Sequence, residues 1–401
     1  MSIQTLVLLL GLLLLAFVQH SSGYEFTFGA MNLNVFGVTK LNDSLVTSTI
    51  STIITRYDVF LAQEIRDISG STPSRLLSMV NNLTSAGYEL VASDHLGKSS
   101  SKEQYVYFYR KDRAVLIDQW QYDGIAARNF ERPPFCVLMS FGHEKVVFIG
   151  LHAKPAAAIF EINSLKYVYD EVLQRWGESN IMIMGDLNAD CQYVRKKHWH
   201  LPKSDSSSTE DEGVFTDSES SRAKRRSRRK PKNLAHAPIG YDEDDHGYSG
   251  DDEASERPKK RRVKQKRSDD NTVNHSNFTV LLYHDTRLHW LIETSVDTTT
   301  SISTCCAFDR IIASTSAMRL VVPNSAKPYY YPCDIYSSET STKKPWHPDN
   351  ACEKLKLDLA DISRISDHFP VEVKLDIKPN LADSVFNLAK SLFAIRILIN
   401  I

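Results

Sequence analysis

The 401-residue chain is short of net charge. Its 48 basic and 49 acidic side chains leave −1 at pH 7, so the chain as a whole has no pull towards nucleic acid or membrane. It also lacks a Ser or Cys nucleophile motif, which points away from covalent catalysis through a hydroxyl or thiol. The N-terminal apolar run, Leu6 to Val18, falls short of the ~20 residues needed to span a bilayer, and no Lys or Arg precedes it. Small residues follow, so residues 1–23 read as a secretory signal peptide, with the mature chain starting at Tyr24 in an oxidising compartment. Cysteines are few: Cys136, Cys191, Cys305, Cys306, Cys333 and Cys352. Several pairings are open, and Cys136, inside the strand-like FCVLMSF, reads as a free buried thiol. A secreted chain would offer glycosylation sites at Asn42, Asn82, Asn274 and Asn277.

An apolar share of 42% and a charged share of 24% describe a globular chain. From Tyr24 onward, strand-like runs (YEFTFGAMNLNVFG, YDVFLAQEI, QYVYFYR, KVVFIGLH, IMIMG) alternate with helical spacing in SLVTSTISTIITRY, PSRLLSMVNNLTSAG and the segment that Pro155 introduces. Strands in succession between helices predict mixed sheets. Residues 200–275 break this pattern. Blocks such as SRAKRRSRRKPK and YDEDDHGYSGDDEASE alternate in sign and carry few apolar residues, which predicts a disordered insertion. Globular pattern then returns, so residues 24–199 and 276–377 are expected to form one domain. Residues 378–401 form an apolar tail, suited to docking on the body or on a membrane surface.

Polar groups recur where apolar runs begin or end. They are Asn32, Glu64, Glu103, His152, Asp186, Asn188, Asp309 and the Asp367–His368 pair. Each alone reads as a cap or turn. Together they supply two histidines with acids to orient them, surplus carboxylates suited to a hard cation, and two carboxamides. Phosphodiester hydrolysis needs such a set: a base for water, positive charge at phosphorus and an acid for the leaving oxygen.

The blocks QEIRD, EQYVYFYR, LHAKP, MGDLNADC, CAFDRI and ISDHFPVEV, in that order, resemble the deoxyribonuclease I family of the endonuclease/exonuclease/phosphatase superfamily. The resemblance spans about residues 26–377 apart from the insertion. It implies an α+β fold, a four-layer α/β sandwich of two mixed β-sheets with outer helices. It implies that His152 with Glu103, and His368 with Asp309, form the acid/base pair, with the base left open between them, and that Asp186 and Asn188 join the catalytic set. Glu64, Asp186, Asp367 and Asn32 would serve the Mg²⁺ or Mn²⁺ site, Asn32 and Asn188 also touching the scissile phosphate. Arg66, Tyr105 and Arg132 would grip the DNA, reading groove shape and not base identity. For Tyr105 the alternative is core packing, and for the arginines surface ion pairs. A disulfide Cys191–Cys306 is implied; a second, Cys333–Cys352, is expected across a loop longer than the family's. Asp297, Thr299 and Thr304 in VDTTTSIST resemble a stabilising Ca²⁺ loop, one residue longer than the family's. The family's small disulfide loop and second Ca²⁺ site are replaced by the shorter YDGIAARNFERPP.

The leading expectation is a secreted, monomeric, metal-dependent endonuclease acting on double-stranded DNA, with actin as a further partner to test. The insertion's basic clusters would add a tether to polyanions; the alternative is a solvated linker. Two other classes stand beside it: a phosphodiesterase acting on a lipid or inositol phosphate, and an inactive binding protein.

Overall fold

The computed structural model describes residues 23–201, 279–301, 303–336 and 359–378. The expected signal peptide up to residue 22, the expected insertion from residue 202, Cys352, Asn274, Asn277 and the tail from residue 379 lie outside the described residues. The described residues all fall in one compact unit.

Among the described residues, twelve strands form two six-stranded sheets. The first is built from β1 (Tyr24–Phe36), β2 (Val59–Ile65), β3 (Tyr88–Ala92) and β4 (Gln104–Arg110), with the later β11 (Lys327–Pro328) and β12 (Val371–Ile377), in the order β11-β12-β1-β2-β4-β3. The second takes β5 (Val115–Gln121), β6 (Phe135–Phe141), β7 (Glu144–Gly150), β8 (Ile181–Asp186), β9 (Leu288–Trp290) and β10 (Asp309–Ser314), in the order β5-β6-β7-β8-β10-β9. Both sheets are mixed: β1 and β2 run parallel, as do β7 and β8, while their other pairings are antiparallel.

The apolar runs are continuous because both faces of most strands are covered. In β2, Val59 and Leu61 face the other sheet while Phe60 and Ala62 face a helical layer. In β7, Val146 and Phe148 point inward, and Val147 and Ile149 outward. The two sheets meet through Phe28, Leu61 and Tyr107 on one side and Phe148, Met182 and Ile311 on the other, with the Phe28 and Phe148 rings 5.0 Å apart. Helices α1 (Ser44–Thr55), α2 (Ser71–Leu83) and, much later in the chain, α4 (Leu359–Ile365) cover the first sheet; α3 (Ala158–Trp176) covers the second. The architecture is the expected four-layer sandwich.

Local chemistry sets the helix limits. Asp43 accepts the Leu45 and Val46 N–H groups at 3.0 and 3.2 Å and so starts α1. Pro155 opens a single tight turn, after which α3 runs from Ala158 to a left-handed stop at Gly177. Among the described residues no helix is long and apolar enough to cross a membrane. Cys191 and Cys306 are disulfide-bonded, as expected; Cys136 is free and buried, Cys305 free and exposed. Cys333 is itself disulfide-bonded. Asn42 and Asn82 are exposed.

Candidate active site

The site lies where strand ends of the two sheets come together. Glu64 is the penultimate residue of β2, and Asp186 ends β8. Asp309 starts β10 directly opposite Asp186 in the antiparallel register. His152 follows β7 by two residues, and His368 precedes β12 by three. Gln63 joins the sheets beneath them: its Nε2 donates to the Leu151 carbonyl and its Oε1 accepts the Asp186 N–H, both at 2.8 Å. Gly185 is required beside this clamp. Its φ is +129°, and a Cβ there would lie 2.5 Å from both Gln63 Nε2 and the Leu151 oxygen. Backbone strain gathers here too, with positive φ at Val35, Glu64 and Asn188. At Glu64 the strain coincides with a break in the β2 pairing that turns its side chain towards β1.

Two imidazoles face each other across one carboxylate. His152 Nδ1 lies 2.6 Å from Glu103 Oε1, and His368 Nδ1 lies 2.7 Å from Asp309 Oδ2. An ionised carboxylate only accepts, so each Nδ1 carries its hydrogen towards the acid and each Nε2 is turned into the site. Those Nε2 atoms lie 3.5 Å (His152) and 3.7 Å (His368) from the same oxygen, Asp186 Oδ2. All five side chains are buried. Burial alone would lower both imidazole pKa values, but Glu103 and Asp186 raise that of His152, and Asp309 and Asp186 raise that of His368 well above the ordinary value.

Glu64 Oε1 is 3.8 Å from His152 Nε2. Burial opposes its ionisation, but His152, the Asn32 amide, Arg66 and the Val35 N–H together hold its pKa down to about 2. Asn32 donates through Nδ2 to Glu64 Oε1 at 3.0 Å and to Asp186 Oδ2 at 3.1 Å, while its Oδ1 accepts the Asn34 N–H. The oxygen is therefore turned away from the carboxylates. Asn32 acts as a strut between two acids, a correction to its expected place among the cation ligands. Asn188 Nδ2 donates to the Ala153 carbonyl at 2.9 Å, tying the loop after β8 to the loop of His152.

Among the described residues, two clusters could hold a metal ion: Glu64, Glu103 and His152, and Asp186, Asp309 and His368. Asp367 belongs to neither; its side chain is 61% exposed, with Oδ1 3.9 Å from His368 Nε2. The all-oxygen pair Glu64 and Asp186, held together by Asn32, suits a hard divalent cation that keeps much of its water.

Tyr105 is corrected outright. It is fully buried, accepting the His152 N–H at 2.8 Å and donating to the Arg132 carbonyl at 3.3 Å, so no ring face is offered to a groove. Core packing, the alternative reading, describes it. Arg132 is committed inward: its Nε lies 3.1 Å from Glu103 Oε1 and 3.1 Å from the His152 carbonyl, and 12% of its side chain is exposed. Arg66 stands at the rim, 3.5 Å from Glu64 and 3.6 Å from Glu103, and remains within reach of a substrate. In the expected Ca²⁺ loop, Asp297 Oδ1 accepts the N–H and hydroxyl of Thr299 and the N–H of Cys306; Thr304 is exposed on the same loop.

Three supporting residues escaped sequence reasoning: Gln63, Thr298 and Ser366. The Thr298 hydroxyl donates to Asp309 Oδ2 at 2.9 Å. Ser366 Oγ accepts the His368 N–H at 3.0 Å and donates to the Asn32 carbonyl at 2.7 Å. A polar Gln inside the apolar run VFLAQEI was the one available signal.

Opposed imidazole–acid pairs and paired carboxylates at the ends of two packed mixed sheets define a phosphodiester hydrolase. The chain belongs to the endonuclease/exonuclease/phosphatase family, whose model matches residues 31–368, and within it to the deoxyribonuclease I group. It is 30% identical to Deoxyribonuclease-1 of Gallus gallus, over 86% of this chain and 90% of that one. It is 29% identical to Deoxyribonuclease-1 of Bos taurus, over 92% and 98%. Among solved structures, an endonuclease/exonuclease/phosphatase from Bacteroides vulgatus aligns at a TM-score of 0.44 and 11% identity, over 88% of this chain and 100% of that one.

Proposed function

We propose that this chain is a secreted, divalent-cation-dependent endonuclease that hydrolyses phosphodiester bonds of double-stranded DNA with little sequence preference. The observation that carries the mechanism is the approach of both Nε2 atoms to one oxygen, Asp186 Oδ2, from two separately anchored rings. With one ring neutral and the other charged, the neutral Nε2 takes a proton from water as its oxygen bonds to phosphorus. The charged Nε2 gives its proton to the departing sugar oxygen as the P–O bond breaks. Glu103 and Asp309 fix the rings and stabilise whichever is charged, so no covalent enzyme intermediate is needed. Glu64 and Asp186 would hold the cation, which when bound supplies positive charge to the phosphoryl oxygens. Arg66 at the rim offers a further cation to the backbone. The names of the Gallus gallus and Bos taurus relatives favour DNA over a lipid or inositol phosphate as substrate.

Supercoiled plasmid incubated with Mg²⁺, with Ca²⁺ and with EDTA tests this reading. Nicked circles preceding linear DNA in Mg²⁺, and none in EDTA, are expected. Intact plasmid beside turnover of sphingomyelin or an inositol phosphate would replace it with the lipid-phosphate alternative.

A further inference from the structure

Arg310 is a buried cation that takes no part in the proton transfers. It follows Asp309 in β10, opposite Gly185 of β8, and by strand alternation shares the outer face of the sheet with Ile312. It is 1% exposed. Burial pulls its pKa down to about 10, against the opposing pull of Asp190 and Asp309, so it keeps its charge at neutral pH. Its hydrogen bonds among the described residues go to carbonyls: one terminal nitrogen, Nη1, donates to Ile292 at 2.6 Å and the other, Nη2, to Ala189 at 2.9 Å, while Nε has no partner. A buried charge held by neutral acceptors is costly to keep, so stability alone is a weak reason for this residue.

The two carbonyls lie on opposite sides of β10, Ala189 just past β8 and Ile292 just past β9. Ala189 follows Asn188 in the loop that leaves Asp186, and the N–H groups of Leu187 and Ala189 donate to the Phe308 carbonyl beside Asp309. Asn188 sits at φ +47°, a conformation that persists only under outside restraint. Ile292 opens the segment leading to Thr298, whose hydroxyl donates to Asp309 Oδ2. The planar fork of Arg310 thus ties the Asp186–Asn188 loop to the segment that steadies Asp309. Indole rings hold the fork in turn. Its carbon lies 5.4 Å from the Trp199 ring and 5.8 Å from the Trp290 ring, and those rings meet edge to face at 5.2 Å. Trp199 is the last residue before the expected insertion.

We propose that Arg310 is a positioning residue for hydrolysis: its fork sets the placement of the Asp186–Asn188 loop against Asp309, and Trp199, at the root of the insertion, keeps the fork in place. The proposal rests on the phosphodiester hydrolase reading of the site and holds for whichever diester is cut. A residue of this kind acts on the turnover step and leaves the binding surface alone.

The test measures kcat and KM on bis(p-nitrophenyl) phosphate, and Kd for a labelled DNA duplex in EDTA, with the full chain below every variant's thermal transition. Arg310→Met should lower kcat about ten- to a hundredfold, with KM and Kd within about twofold of the parent. Arg310→Lys keeps the charge without the fork, and should recover about threefold of that loss but not parental kcat. Ile312→Ala, two residues on and on the same face, is the structural control: it opens the core and should leave kcat within about twofold. Trp199→Leu should lower kcat about fivefold alone and less than about twofold beside Arg310→Met, since both act through one contact. Parental kcat in Arg310→Met, with only an earlier thermal transition, would overturn the proposal. So would an equal loss of kcat in Ile312→Ala, which would trace the effect to general loosening. The same Trp199→Leu factor in both backgrounds would overturn the part given to Trp199. If Arg310→Met fails to fold, Arg310→Lys carries the test, and parental kcat there overturns the proposal. A parent that turns over the small diester but leaves plasmid uncut refutes the nuclease reading alone; one that turns over neither overturns both.

Discussion

Each imidazole depends on one acid, so individual substitutions separate their roles. Replacing His152 or His368 by Ala removes a proton donor or acceptor and is expected to slow plasmid nicking by about a hundredfold or more. The pH profile goes further. Both rings have raised pKa values, so the one acting as base stays protonated until pH exceeds its raised value. The rate should therefore climb with pH along a limb lying above about 6.5. Glu103→Gln removes the charge that raises His152, and Asp309→Asn the one that raises His368. Whichever substitution moves the climbing limb to lower pH identifies the base. An unmoved limb in both would detach these rings from the proton taken from water. Tyr105→Phe probes the correction made above: it deletes the acceptor of the His152 N–H, and should lower kcat while leaving duplex affinity unchanged.

At the scale of elements, the strands most legible in the sequence were those buried on both faces, such as β7 and β8, where continuous apolar runs stop at a working residue. The edge strand β5 was not legible. Its residues are mostly exposed, so VLIDQWQ shows neither a core run nor a clean alternation. Asn32, Glu64 and Asp186 stood out at the ends of apolar runs, but no sequence pattern shows which way an amide turns, and Asn32 turned its hydrogens to the acids. Tyr105 was misplaced because aromatic residues at alternate positions of QYVYFYR look alike whether a strand is covered on one face or two. Two predictions belong here. Gly185→Ala forces a Cβ into the Gln63 clamp at an unfavourable φ, and should destabilise the fold by roughly 1–3 kcal/mol in denaturant titration. Glu161 on α3 accepts the N–H groups of Glu131 and Lys154, stapling the Arg132 and His152 loops, and burial pushes its pKa up to about 7. The folded state then holds a proton that the unfolded chain has released, so this group makes stability fall as pH rises from about 4.5 to about 7. Glu161→Gln should remove that fall; an unchanged dependence of unfolding free energy on pH would dismiss it.

At the scale of the whole molecule, one covalent link spans 115 residues of sequence, from Cys191 in the loop after β8 to Cys306 just before β10. Opening it frees a long loop in the unfolded chain, and Cys191→Ser should lower stability by about 2–4 kcal/mol, read as an earlier thermal transition. The link also reaches the chemistry. Thr298 donates its N–H to the Cys306 carbonyl and its hydroxyl to Asp309, and Thr298 and Thr300 pair along the backbone with Phe369 and Asp367, on either side of His368. The His368 ring thus hangs from a frame that the disulfide locks. Molecules made in a reducing cytosol should emerge as sluggish catalysts and quicken once exposed to air or to an isomerase, so that oxidation itself arms them.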